Sequence, residues 1–364
     1  MNLTDIVDGT RLAAGGLKDF ASGLVNPSLR LGVTGLSRSG KTVFITALVH
    51  ALLKSARLPV FEAHARGRIL LARRTAGRDL AGAWEFPGGK LEAGEAPLAA
   101  LDRELHEELG IRVLAAEPLL CVPQQYPNKR IVLDVWRVTR FSGKPTGREK
   151  QALAWSPPDK LRTYPMPPAD RPVVAALTEP DAYLVTPEPA DDQRLFLRGI
   201  DKAIDAGIRR IQLRARTLPP DRLQALAQQV WSRCRERDVE MLVNGDIELA
   251  RRLGCGVHLR GAQLAALSAR PLPVDLPVAA SCHDVGELRR AETLDADFAV
   301  LGPVARTPTH KEREPIGWGG FALMREAVSL PIYALGGMKR SDLAMARRHG
   351  AQGIAAIRGF WPKA

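Results

Sequence analysis

The sequence predicts an α/β multidomain chain that ends in a (β/α)8 barrel, and three observations carry that expectation. Beyond residue 181 short apolar runs recur, each followed by a helical stretch. Between residues 61 and 178 short strands flank one strongly charged helix. In residues 1–60 a glycine-bearing loop stands between a short strand and a helix. A length of 364 residues suits two or three domains of ordinary size.

The front segment reads as an amphipathic start, a strand over residues 31–34 and a helix over residues 41–53. Between them runs Gly35-Leu36-Ser37-Arg38-Ser39-Gly40-Lys41-Thr42, which fits G-x-x-x-x-G-K-[ST]. Such a loop cradles phosphate with backbone amides at a helix N-terminus, which makes Gly35, Gly40, Lys41 and Thr42 candidate phosphate ligands. The pattern is loose, arising by chance in roughly a few per cent of chains of this length.

The middle segment holds strands over residues 68–72 and 131–138 and a charged helix over 97–109. Pro157, Pro158, Pro165, Pro167 and Pro168 crowd its end, where the chain turns. From Gly89 it reads G-KLEAG-E-APLAALD-R-E-L-H-E-E-L-G-I. Glu104, Glu107 and Glu108 stand at i, i+3 and i+4, so a helix gathers their carboxylates on one face. A hard divalent cation removes their mutual repulsion, and oxygen-only ligation favours Mg²⁺, with Mn²⁺ as the alternative. Such an ion bridges phosphate oxygens and lowers the pKa of bound water. Pro87, Gly88 and Gly89 form a tight loop whose backbone can approach metal and phosphate. A solvated acidic helix face is the plain alternative for an E-x-x-E-E cluster. Glu95, Arg103 and the glycines, each at its own spacing, weigh against it.

The last segment places strands over residues 182–185, 208–213, 240–243, 257–259, 278–281, 298–301, 332–335 and 353–357. Strands alternating with helices in this way close into a (β/α)8 barrel. Its final helix is nearly absent, because seven residues follow the eighth strand.

Composition narrows the function classes. At 45% hydrophobic and 25% charged, the chain reads as folded and soluble. No apolar run approaches the roughly 20 residues needed to cross a bilayer, and the first residues lack a secretory pattern. Cys121, Cys234, Cys255 and Cys282 lie far apart, which fits a reducing cytoplasm. The formal charge of +12 favours an anionic ligand, or reflects an arginine-rich composition. No basic block with interleaved aromatics stands out, so neither a stable nucleic-acid complex nor a membrane partner is expected.

Residues 89–111 match the Nudix pattern G-x5-E-x7-R-E-U-x-E-E-x-G-U at every constrained position. A chance match arises at about one start point in a billion. With Trp84-Glu85-Phe86-Pro87-Gly88-Gly89-Lys90, the stretch 67–178 resembles the MutT-type 8-oxo-dGTP diphosphatases. The resemblance implies a Nudix α/β/α sandwich with a mixed sheet, and Mg²⁺-dependent hydrolysis of a nucleoside triphosphate to monophosphate and pyrophosphate. The substrate implied is 8-oxo-dGTP or a related nucleotide, and the role is nucleotide-pool sanitation in support of DNA repair and replication. It further implies Gly88, Glu104, Glu107, Glu108 and Glu149 as metal ligands, with Glu104, Glu107 and Arg103 catalytic. Arg74, Phe86, Gly89, Lys90 and Asp170 are the implied substrate contacts. Asp170, in Met166-Pro167-Pro168-Ala169-Asp170, stands where the family has a base-reading asparagine. An ionised carboxylate only accepts hydrogen bonds, whereas an amide also donates.

Residues 1–60 resemble the start of the YcjX-like P-loop ATPases. The chain between Thr42 and the next strands is too short to supply the further strands and acidic group such an enzyme needs. The segment therefore reads as an ATPase fragment joined to another gene. The join costs the middle domain its usual first strand, and residues 58–65 take its place. The first strand is thus expected to be replaced or poorly formed.

Residues 181–364 resemble thiamine-phosphate synthase and its TenI-like relatives. The resemblance rests on Ile211-Gln212-Leu213-Arg214, Leu242-Val243-Asn244, Val257-His258-Leu259, Gly302-Pro303-Val304 with Thr307 and Thr309, and Leu335-Gly336-Gly337-Met338. Gly336 and Gly337 are expected to offer backbone amides to phosphate. The family's two metal-binding acids align with Gly245 and Gln263, its lysine with His310 and the tautomerase histidine with Pro303. Two lost carboxylates leave little to hold Mg²⁺ against pyrophosphate, so a silent or regulatory barrel is expected. Synthase-like activity, or a non-catalytic binding role should the Nudix segment be impaired, are the alternatives. His258 and His283 are read as orienting neighbours, and Cys282 as a small core residue.

Overall fold

The structure is a computed structural model that describes residues 41–49, 67–77, 79–190, 192–307 and 314–362, the first stretch as backbone alone. The expected strand 31–34, the loop glycines Gly35 and Gly40, residues 50–66, and Thr309 with His310 lie outside the described residues.

The middle segment forms two sheets. β1 (Lys41–Val49), β4 (Gly88–Lys90), β5 (Arg112–Gln125) and β6 (Arg130–Ser142) make one, in the order β4-β1-β6-β5. β2 (Ile69–Arg73), β3 (Trp84–Glu85) and β7 (Leu153–Ser156) make the other, in the order β3-β2-β7. Side chains alternate along a strand, so β2 feeds two cores. Leu70 packs with Leu101, Leu105 and Leu109 of helix α1 (Pro97–Leu109). Ile69 and Leu71 pack on the opposite side with Val173 and Val174 of helix α2 (Arg171–Thr178). Helices on both faces of sheet make the α/β/α sandwich.

Helix α1 follows from its sequence. Pro97 opens it where no amide partner is needed, and Gly110 closes it in the left-handed conformation. Leu101, Leu105 and Leu109 recur every four residues and are fully buried, each contributing about 2 kcal/mol. The acidic face is thereby turned away from the core.

One expectation is corrected. The helix predicted over residues 41–53 is, for Lys41–Val49, a strand. Its sequence KTVFITALV is rich in β-branched residues and lies inside the sheet, opposite β4 through Phe44↔Lys90, Ile45↔Gly89 and Thr46↔Gly88. The place beside β4 is thus taken by this segment, while residues 58–65 lie outside the described residues. Lys41 and Thr42 lie in extended backbone, so the helix N-terminus a P-loop needs is not present at those residues.

The last segment is a closed barrel of eight parallel strands, β8 (Ala182–Val185), β9 (Arg210–Leu213), β10 (Glu240–Asn244), β11 (Gly256–Leu259), β12 (Val278–Cys282), β13 (Phe298–Leu301), β14 (Ile332–Leu335) and β15 (Gly353–Ala356). Seven helices follow the first seven strands: α3 (Gln193–Asp205), α4 (Pro220–Glu236), α5 (Ile247–Leu253), α6 (Gly261–Ala266), α7 (Val285–Thr293), α8 (Gly317–Arg325) and α9 (Leu343–Arg348). Tyr183, Phe298 and Tyr333 fill the lumen. At the N-terminal ends of the strands, buried Arg210 stacks 4.4 Å from Phe298 and pairs with Glu240 and with Glu179 of the linker. Among the described residues no helix is long and apolar enough to cross a membrane. All four cysteines are buried and free, and burial pushes the Cys282 thiol up, as suits a core residue.

Candidate functional site

Arg103 locks the helix α1 to the loop before it. Its Nε and Nη2 donate to the two Glu95 oxygens, each at 2.9 Å, while Nη2 also donates to the Lys90 carbonyl at 3.0 Å. Nη1 donates to Glu104 Oε1 at 2.9 Å. The hydrogen bond from Arg103 holds the Glu95 carboxyl below its ordinary range. Glu104 Oε1 also accepts from the Lys90 backbone N–H at 3.0 Å, so this carboxylate is pinned against β4. Only glycine permits that approach, because a Cβ at Gly89 would stand 1.9 Å from Glu104 Oε2.

A cavity of about 870 Å³ opens beside this corner. Gly88, Gly89, Lys90, Glu104, Glu108 and Glu149 line it, and so do Arg74, Phe86 and Asp170. Nine of the residues expected from sequence therefore meet in one cavity. Arg103 and Glu107 are not among its lining residues; the Glu107 side chain is 60% exposed and accepts from Arg103 Nη1 at 3.5 Å. Among the described residues no three acidic, histidine or cysteine side chains already converge as a closed metal cage. The donors nevertheless suit a hard divalent cation. Mg²⁺ retains several waters and needs few protein carboxylates, and Glu104, Glu108 and Glu149 of this lining would be the ones to hold it, with Gly88 beside them.

Asp170 is buried, at 5% exposure, in the same cavity. Burial, reinforced by the Glu85 charge and opposed by Arg74, pushes its carboxyl up to about 8. The shift favours the protonated form, and a protonated carboxyl both donates and accepts, as an amide does. The departure from asparagine is chemically smaller than the sequence suggests. Arg74 is braced by an ion pair with Glu85 and by donating from Nε to the Asp79 carbonyl at 2.6 Å.

Sequence reasoning missed Tyr126 and Lys129, which also line the cavity. They flank the turn between β5 and β6, where the Tyr126 N–H donates to the Lys129 carbonyl at 2.8 Å. The Pro127-Asn128 pair between two apolar runs was the available signal.

The barrel carries a second cavity, of about 530 Å³, lined by His283, Pro303, Thr307, Gly336, Gly337 and Lys339, among others. Gly336 and Gly337, expected to offer backbone amides, are both among its lining residues. Neither position where the synthase resemblance implies an acid is part of this lining. Gly245 lies in the left-handed conformation, φ +75°, beneath the exposed Arg260 side chain, which would have to move aside for an aspartate there. Gln263 donates to the Gly245 carbonyl at 2.8 Å, and the neighbouring Asp246 caps α5 by accepting from the Leu249 N–H at 2.9 Å. His258 bridges the Tyr183 hydroxyl at 2.9 Å and Ser281 Oγ at 2.8 Å, and burial lowers its pKa to about 3. His283 Nδ1 lies 3.0 Å from Glu287. Both histidines hold neighbours in place, as expected.

Comparisons with known proteins give three family matches. Residues 60–176 match the NUDIX domain family, residues 182–360 the thiamine monophosphate synthase family, and residues 29–87 the YcjX-like family. A CTP pyrophosphohydrolase of Escherichia coli is 44% identical over 110 residues, which are 30% of this chain and 82% of that protein. An 8-oxo-dGTP diphosphatase of the same organism is 39% identical over 109 residues, 30% of this chain and 84% of that protein. A thiamine-phosphate synthase of Bacillus velezensis is 31% identical over 166 residues, 43% of this chain and 73% of that protein. The chain thus belongs to the Nudix hydrolases, enzymes that act on acid anhydrides, and carries joined to that domain a member of the thiamine-phosphate synthase family.

Proposed function

We propose that the chain is a Mg²⁺-dependent nucleoside triphosphate pyrophosphohydrolase of the 8-oxo-dGTP diphosphatase type. One observation carries the reading: a single cavity is lined both by Gly88, Glu104, Glu108 and Glu149 and by Arg74, Phe86 and Asp170. The first set suits a metal-bound polyphosphate, and the second suits a nucleobase. When bound, Mg²⁺ neutralises phosphate charge and makes a coordinated water more acidic.

The chain's own residues do the rest. Arg103 and the Lys90 N–H both hold Glu104 by Oε1, which orients Oε2 to take the proton of the attacking water. Attack falls on an inner phosphorus, the bond to its bridging oxygen breaks, and pyrophosphate leaves with nucleoside monophosphate as the other product. Glu107 adds negative charge along the same helix face. Asp170 and Arg74 read the base edge, and Phe86 supplies an apolar wall. The carboxylic acid at 170 and the similarity to a CTP pyrophosphohydrolase also favour CTP as a second substrate.

A synthase-like activity of the barrel is disfavoured because Gly245 and Gln263 carry no carboxylate where the resemblance implies one. The test is a panel of 8-oxo-dGTP, dGTP, CTP and ATP assayed with Mg²⁺, run beside thiamine-phosphate formation from pyrimidine diphosphate and thiazole phosphate. Cleavage of 8-oxo-dGTP or CTP without thiamine-phosphate formation is expected. The reverse pattern would transfer the function to the barrel.

A further inference from the structure

The β5–β6 hairpin that carries Tyr126 and Lys129 into the nucleotide cavity is gripped from the barrel. The Gln125 N–H donates to the backbone carbonyl of Glu326 at 2.8 Å. Arg130 Nε donates to the Glu326 carboxylate at 2.7 Å, with that side chain 13% exposed. Glu326 directly follows α8, and the preceding residue, Arg325, is fully buried. Arg325 donates to Val328 and Gly350 within the barrel, at 2.7 and 3.2 Å, and reaches Pro123 of β5 at 3.3 Å. The grip thus takes the hairpin at Pro123 and Gln125 of β5 and at Arg130 of β6, with the charged pair next to the turn.

From there a chain of bonds runs into the cavity. Lys129 Nζ pairs with Asp79 at 2.9 Å, the Asp79 carbonyl accepts from Arg74, and Arg74 pairs with Glu85. Asp170 feels the charges of Arg74 and Glu85. Every link after Glu326 lies in the Nudix segment.

We infer that the barrel completes the nucleotide site from behind, with Glu326 as a positioning residue that sets Tyr126 and Lys129 through the Arg130 and Gln125 contacts. The inference rests on the nucleotide reading given above. It gives the joined barrel a role that needs no barrel chemistry: the Nudix pocket is only fully shaped when the barrel is attached. Positioning of this kind alters how well the nucleotide is held more than how fast the phosphate bond breaks, since Glu104 and Arg103 stand on α1 and not on the hairpin.

The test uses the full chain with Glu326→Ala, Arg130→Ala and the exchanged pair Glu326→Arg with Arg130→Glu. KM is expected to rise about three- to tenfold in each single variant with kcat held within about twofold, and to recover in the exchanged pair. Amide hydrogen exchange across residues 123–132 is expected to speed up in the single variants, a readout that needs no activity. Unchanged KM in Glu326→Ala would overturn the positioning role, and so would unchanged exchange across the hairpin. Wild-type chain that cleaves no nucleotide while Glu326→Ala still loosens the hairpin would instead count against the proposed function.

Discussion

The Nudix cavity and the barrel cavity differ in charge. The Nudix cavity keeps Glu104, Glu108 and Glu149 along its wall. Among the described residues the barrel cavity has no acidic side chain in its lining and carries His283, Lys339 and Arg358 instead. Chemistry on a polyphosphate needs a hard cation, and a hard cation needs anionic oxygen. The fold of each half is intact, so the difference lies in a handful of side chains. A barrel can lose its metal ligands and still close, because Leu, Val, Ala and aromatic packing hold it together.

That contrast can be broken most forcefully at Glu104. Glu104→Gln keeps an oxygen for the Lys90 N–H but removes the proposed base and proposed metal ligand. Pyrophosphate release is expected to fall by about a thousandfold or more, with the melting temperature unchanged. Mg²⁺ is expected to raise the melting temperature of the wild type and not of this variant. Equal stabilisation of both would reveal a metal site elsewhere, and the contrast between cavities would fail.

The next largest effect concerns the borrowed strand. Ile45→Pro removes a backbone donor from β1 opposite Gly89 and is expected to cost about 3 kcal/mol. The Nudix segment alone should lose it, seen as an earlier first transition in denaturation while barrel unfolding stays put. An unchanged melting curve would show that β1 carries no weight in the sheet.

The effect at Asp170 is read as a slope with pH. Its folded pKa, about 8, lies above the value of 3.8 for an ordinary aspartate. Between those pH values the unfolded chain releases a proton that the folded chain keeps, so stability falls as pH rises from about 4 to about 8. Asp170→Asn removes that slope. The melting temperature of the wild type should drop relative to the variant across this window, and wild-type KM should climb above pH 8 while the variant's stays level. Parallel curves would mean that Asp170 is ionised throughout.

Much of this was legible in the residues, for physical reasons that also explain what was not. Pro97, the four-residue leucine spacing and Gly110 mark both ends of α1 and its core face. The barrel strands are short apolar runs punctuated by helices, and 182–185, 298–301 and 332–335 match the strands residue for residue. The segment 41–49 was misread because a continuous apolar run carries no period to separate strand from helix, and the glycine-rich loop before it tipped the reading. The protonation of Asp170 depends on burial and on Glu85, which is far away in sequence. The covering of Gly245 by Arg260 is likewise a matter of three-dimensional approach.

Identification of the products formed from 8-oxo-dGTP and from CTP with Mg²⁺ tests the central claim most directly. Nucleoside monophosphate and pyrophosphate in equal amounts are predicted, dependent on Glu104. Orthophosphate with nucleoside diphosphate, or no cleavage by folded protein, would contradict the account.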